Sequence, residues 1–197
     1  MWDNVGQNYL CSLGLEPREG FREILRPLSL RQSAEYMRKA YGIDRTPEQI
    51  MEDIDRGIEQ RYFTDLPLKP GVKQLLERLR RRGISMCIAT ATDRYLVEAG
   101  LRRVDILEYF EFILTCTEVG AGKDRPDIYE TALRRLGTGK ETTYVFEDAL
   151  YAIETAKKAG FPVVGVYDES ASAMTERIRE LSDQFVVPAE GWGELGQ

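Results

Sequence analysis

The chain has 197 residues, enough for one ordinary domain or one domain with a small insert. With 43% hydrophobic and 30% charged residues it is composed like a folded globular protein, and a net charge of −6 argues against nucleic acid as a partner. There is no histidine, which excludes Ser-His-Asp and Cys-His machinery, HExxH zinc sites and histidine general bases.

The opening stretch MWDNVGQNYL lacks the basic and apolar regions of a secretion signal, and no apolar run approaches the ~20 residues that span a bilayer. Cys11, Cys87 and Cys116 are odd in number and widely spaced, without a CxxC, so reduced thiols in a cytoplasmic protein are expected. Residues 1–66 carry only helical patterns. Ser29 is placed to cap a helix through Tyr41. Thr46-Pro47-Glu48-Gln49 reads as a capping box with proline at the first helical position, opening a helix to about Phe63. Ile50, Ile54, Ile58 and Tyr62 recur on one face of it, as the core of a small helical bundle would.

From residue 67 the rhythm changes. Pro70-Gly71 opens a helix to Arg82, whose run of Arg78, Arg80, Arg81 and Arg82 complements the dipole at the helix end. Gly83 ends it, and Ile84–Ala89 reads as a strand. A helix from Asp93, a strand at Phe112–Leu114 and a helix from Pro126 to Leu136 follow. Tyr144–Phe146 is a strand, Leu150–Ala159 a helix, Pro162–Val166 a strand, Thr175–Leu181 a helix and Phe185–Val187 a last strand. This alternation predicts an α/β fold, a Rossmann-like parallel sheet with helices on both faces. In such sheets ligands bind beyond the carboxyl ends of the strands.

Three strand ends carry candidate chemistry. Thr90-Ala91-Thr92 offers a hydroxyl and backbone amides at a helix N-terminus, with Asp93 placed as its cap. Lys123 lies between the glycines Gly120 and Gly122 and the proline-started helix at Pro126, where it can hold a fixed positive charge. This stretch is not a P-loop, because Thr117 stands where the first glycine belongs and Asp124 where Ser or Thr would hold magnesium. Glu147 and Asp148 are adjacent acids at the end of a strand, suited to Mg²⁺, although Asp148 is equally well placed as a helix N-cap.

Thr90, Lys123 and Glu147-Asp148, in that order, resemble the second, third and fourth motifs of the haloacid dehalogenase superfamily. The surrounding stretches PGVKQLLERLRRRGISMCIATAT, GKDRPDIYETALRRLG and YVFEDALYAIETAKKAGFPVVGV are similar to its β-phosphoglucomutase and phosphoglycolate-phosphatase branch, including the Lys-x-x-Pro-Asp of Lys123–Asp127. The resemblance covers nearly the whole chain and implies a helical cap over residues 1–66 and an α/β core over 67–197. It further implies a Mg²⁺-dependent phosphatase acting on small phosphate monoesters, with Thr90, the Ala91 amide and Lys123 on the phosphate and Asp148 and Glu147 on the metal. Arg26 and Ser29 in the cap are candidates to meet the substrate. A phosphosugar mutase and a non-catalytic phosphate-binding remnant are the alternatives. Monomer and weak homodimer stay open.

The family's first motif, an apolar strand ending in Asp-x-Asp-Gly-Thr, has no counterpart in these residues. Its first aspartate would attack phosphorus and carry an aspartyl phosphate. The one Asp-x-Asp, Asp53-Ile54-Asp55, lies inside a helical pattern and does not qualify. Either the start codon is assigned too late and the nucleophile lies upstream, or the strand has been lost. The first is expected, because the family's missing strand runs through the middle of the sheet, between those ending at Thr90 and Glu147. Without it two strands would lack a partner, yet Met86, Cys87, Ile88, Val145 and Phe146 stay apolar.

Overall fold

The computed structural model describes residues 5–25, 28 and 30–193. Two of the sequence candidates, Arg26 and Ser29, lie outside the described residues. The chain divides into two compact units, residues 1–65 and 66–197.

The first unit is helical: α1 (Val5–Ser12), α2 (Phe21–Leu25), α3 (Leu30–Tyr41) and α4 (Pro47–Thr64). The start of α4 is fixed locally. The Thr46 hydroxyl accepts from the Gln49 amide while the Gln49 side chain accepts from the Thr46 amide, and Pro47 fills the first helical position. Ile50, Ile54 and Ile58 then present one buried face, packed with Leu10, Ala34 and Met37 and partly covered by Tyr62. Asp53 is held on the flank of α4 by Arg45 at 3.1 Å, Arg56 at 3.8 Å and the Tyr9 hydroxyl at 3.4 Å.

The second unit alternates strands and helices: α5 (Val72–Arg81), β1 (Ile88–Thr90), α6 (Arg94–Arg103), β2 (Ile113–Thr115), α7 (Cys116–Val119), α8 (Asp127–Leu136), β3 (Val145–Glu147), α9 (Leu150–Lys158), β4 (Val163–Val166), α10 (Thr175–Leu181) and β5 (Gln184–Val186). Every strand pairing is parallel. One side of the sheet buries Leu114, Ile128, Ile153, Phe161 and Val163, and the other buries Leu75, Leu79, Val164 and Val186. Strands covered on both faces need the continuous apolar runs that the sequence supplies, and all four residues of β4 are buried. Among the described residues no helix is long and apolar enough to cross a membrane.

The pairings form two groups, β1–β2 and β3–β4–β5. No pairing joins β1 to β3 among the described residues, and both strands are less buried than their apolar sequences lead one to expect. Phe146 on β3 is 41% exposed, and none of the three β1 residues is fully buried. The strand expected over 84–89 is regular only at Ile88–Thr90. Before that point the segment is paired on one side alone, through the Met86 carbonyl to the Glu111 amide at 2.8 Å, and Ile84 is 41% exposed. A backbone paired along one side is held by fewer hydrogen bonds and leaves the regular ladder sooner.

Candidate active site

The strand ends converge at the carboxyl edge of the second unit. The register pairs Thr90 with Thr115, so β1 and β2 end level with one another. The Thr90 hydroxyl accepts from the Thr92 amide at 3.0 Å, which folds 90–92 into a tight hydroxyl turn and leaves the hydroxyl proton free to donate outward. Ala91, at the middle of that turn, is exposed. Asp93 occupies the N-cap position of α6 but makes no side-chain capping bond, contrary to expectation. The work is done by Arg94 instead. Its guanidinium grips Glu118 at 2.6 and 2.8 Å and donates to the Ile113 carbonyl at 2.7 Å, tying the turn after β1 to the start of β2 and to α7.

The expected loop at Thr117–Asp124 begins with a helical turn. Thr115 and Glu118 form a capping box that starts α7, and Gly120 ends it at φ 75°, in the left-handed region where glycine is favoured. The spacing Thr115-x-x-Glu118 carries that signal in the sequence, two residues ahead of the loop expected from Thr117. Arg94 and this second capping box hold the Glu118 carboxyl at about 2.

Beyond α7 the chain carries Lys123 back across the sheet to Glu147, the last residue of β3. The two form a short ion pair, with Lys123 at 15% side-chain exposure and Glu147 at 5%. The Tyr129 hydroxyl, also buried, lies 3.5 Å from the same Glu147 oxygen, and the Asp148 amide donates to the other at 3.2 Å. Burial, with Glu147 alongside, pushes the Tyr129 phenol far above its usual range. Tyr129 went unnoticed in the sequence, where it reads as one more apolar position of α8.

Asp148 does not cap α9. Ala149 holds that position without any side-chain bond, which removes the structural explanation the sequence left open for this acid. Burial and the charges of Glu147 and Asp168 raise the Asp148 carboxyl, with Lys69 opposing them. Asp168 itself lies beyond β4 and pairs with Lys69 from the stretch before α5. Burial would raise its carboxyl, but hydrogen bonds from Lys69 and Ser170 win and hold it at about 2. Of Glu147, Asp148 and Asp168, Asp148 is therefore the one without an ion pair among the described residues.

Among the described residues no three metal-ligating side chains gather at one point. The donor set fits a divalent cation through Asp148 alone, because Glu147 already answers to Lys123. Mg²⁺ takes as few as one or two protein carboxylates and fills its octahedron with water and phosphate. Asp53 and Asp55 both sit within α4, and the Asp53 carboxylate is claimed by arginines, in keeping with their rejection as a nucleophile pair. The three cysteines are free, and burial pushes the Cys87 thiol up to about 11, far from a reactive thiolate.

Residues 12–166 match the family of haloacid dehalogenase-like hydrolases. The chain belongs to that family. A phosphorylated carbohydrates phosphatase of Thermotoga maritima is 32% identical over 63% of this chain, a match that spans 51% of that protein. Protein CbbY of Rhodobacter capsulatus is 30% identical over 84% of this chain and 78% of its own. Among solved structures, a Thermotoga maritima protein bearing a β-phosphoglucomutase name superposes with a TM-score of 0.78 at 26% identity, covering 95% of this chain and 87% of that one. CbbY from Rhodobacter sphaeroides, solved with xylulose-1,5-bisphosphate, gives 0.67 at 26% identity over 98% and 88%. The family fold thus accounts for the parallel sheet and the helices that cover it.

Proposed function

We propose that this protein hydrolyses small phosphorylated sugars. The observation that carries the reading is the Lys123–Glu147 pair, which brings a cation from the loop after α7 to the end of β3, beside Asp148, an acid without an ion pair. The relatives support the substrate class, since those named above include a phosphorylated carbohydrates phosphatase and a CbbY solved with a sugar bisphosphate.

On this reading a phosphate dianion sits over the carboxyl ends of β1 and β3. Thr90 donates its hydroxyl proton to one oxygen, and the Ala91 amide faces a second. Lys123 turns part of its ammonium from Glu147 to a third and stabilises charge that develops in transfer. Asp148 would hold Mg²⁺, which supplies further neutralisation of the phosphate oxygens when bound. The nucleophilic aspartate would come from a further parallel strand seated between β1 and β3, where neither edge has a partner among the described residues and Phe146 stands exposed. The helical unit would choose among sugars.

The intact mass of the protein from its source, followed by phosphate release from a panel of sugar phosphates, tests this. A mass larger than this chain by one strand and a turn, with Mg²⁺-dependent release that drops roughly 10³-fold in Lys123→Ala, is expected. Release that persists in Lys123→Ala, or a full-length protein that neither binds nor cleaves any phosphosugar, would overturn it.

A further inference from the structure

Glu147 poses a problem that Lys123 cannot solve alone. The carboxylate is buried at the end of β3 and needs its negative charge answered at all times, since an unpaired buried charge is costly. The same ammonium is asked to meet a phosphate. Each time a phosphate arrives, Lys123 has to give up part of its hold on Glu147, and something else must keep that carboxylate in place and partly answered.

Among the described residues, Tyr129 is the other side chain that hydrogen-bonds Glu147. It sits in the first turns of α8, six residues beyond Lys123, so one segment supplies both donors to a single carboxylate oxygen. Its ring is fixed in the core against Phe161, with centroids 6.1 Å apart. Its hydroxyl is buried, and Glu147 lies at 3.5 Å, at the long end of hydrogen-bonding distance. A buried hydroxyl without an acceptor costs free energy, so this proton is directed at the carboxylate. At that length the contact has room to shorten when the lysine moves off.

We infer that Tyr129 is a positioning residue: it holds Glu147 in place while Lys123 is shared with the phosphate. The inference rests on the phosphate reading of Lys123 and assigns the hydroxyl of Tyr129 a role in anion affinity rather than in the fold. The ring supplies the packing. The hydroxyl alone supplies the hold.

Inorganic phosphate is the probe, titrated calorimetrically into the full chain, its Tyr129→Phe and Glu147→Gln variants and the double variant. In Tyr129→Phe the melting temperature should stay near that of the parent while phosphate affinity falls roughly tenfold, the worth of a hydrogen bond to a charged group. In the Glu147→Gln background the same change should have little further effect, because the charge that needed holding is gone. Unchanged affinity in Tyr129→Phe overturns the inference, and so does an equal loss in both backgrounds. Lys123→Met separates the two layers. Phosphate binding that depends on Lys123 but ignores Tyr129 sinks this inference alone, whereas binding indifferent to Lys123 sinks the phosphate reading with it.

Discussion

At the scale of single residues, this site sets charges against one another with little surplus. Lys123 and Glu147 are both largely buried, so removing one leaves the other uncompensated. Lys123→Met should lower stability by about 3 kcal/mol in urea unfolding, and Glu147→Gln in the same chain should restore most of it. Asp148 behaves in the opposite sense. Its carboxyl is raised by burial and by neighbouring acids, so at neutral pH its charge works against the fold. Asp148→Asn should therefore raise the melting temperature by roughly 2–4 °C, and on the proposed function it should also abolish phosphate release and stabilisation by Mg²⁺. A melting temperature that falls would show that the acid is satisfied by something other than a cation. Glu118 and Asp168 contribute to acid sensitivity, along with other lowered acids such as Asp183. Both are held at about 2, below their ordinary values of 4.5 and 3.8, so their contribution is complete above about pH 4.5 and is lost as pH falls toward 2. Urea unfolding followed by circular dichroism from pH 6 to 2 should show the parent losing stability in that window, with Arg94→Met slightly flattening the dependence.

At the scale of elements, short local signals decide where the site's parts begin. Two capping boxes, Thr46/Gln49 and Thr115/Glu118, start α4 and α7, and the second also serves as the target of Arg94. Gly165 shows how tightly the layers meet. It pairs with Glu147 in the β3–β4 register, and a Cβ placed there would lie 2.4 Å from the Ser182 hydroxyl oxygen and 3.0 Å from an Ile178 methyl. Gly165→Ala should cost about 1–3 kcal/mol, by pushing α10 off the sheet. Because β4 is the immediate neighbour of β3, the same change should also weaken phosphate binding. Wild-type stability in Gly165→Ala would mean that the end of α10 yields easily.

At the scale of the molecule, each unit has its own core: Leu10, Met37 and Ile50 in one, Ile128, Ile153 and Val163 in the other. Ile50→Ala and Ile153→Ala each remove a fully buried side chain and should cost about 2–5 kcal/mol. Hydrogen exchange should register the first within residues 5–65 and the second within 66–193. Exchange that quickens throughout the chain in either variant would show one cooperative body instead.

The sequence by itself determined a good deal. Strand–helix alternation, proline and glycine stops and the Thr46 box placed most elements to within a residue or two, because those signals act over a few neighbours. That the candidate residues gather on one edge was also readable, since a parallel sheet brings the residues after its strands to one edge whatever the details. What it could not supply was contact between residues distant along the chain. That Glu147 belongs to Lys123 and Tyr129 while Asp148 is left without a lysine, that Arg94 and not Asp93 organises the turn after β1, and that Asp148 caps no helix are matters of which side chains meet across the sheet. The strand over 84–89 is shortened for the same reason: its apolar residues favour a strand, but regular pairing takes hold only where β2 lies alongside. Local chemistry chose the parts, and burial against distant partners decided the charge each one carries.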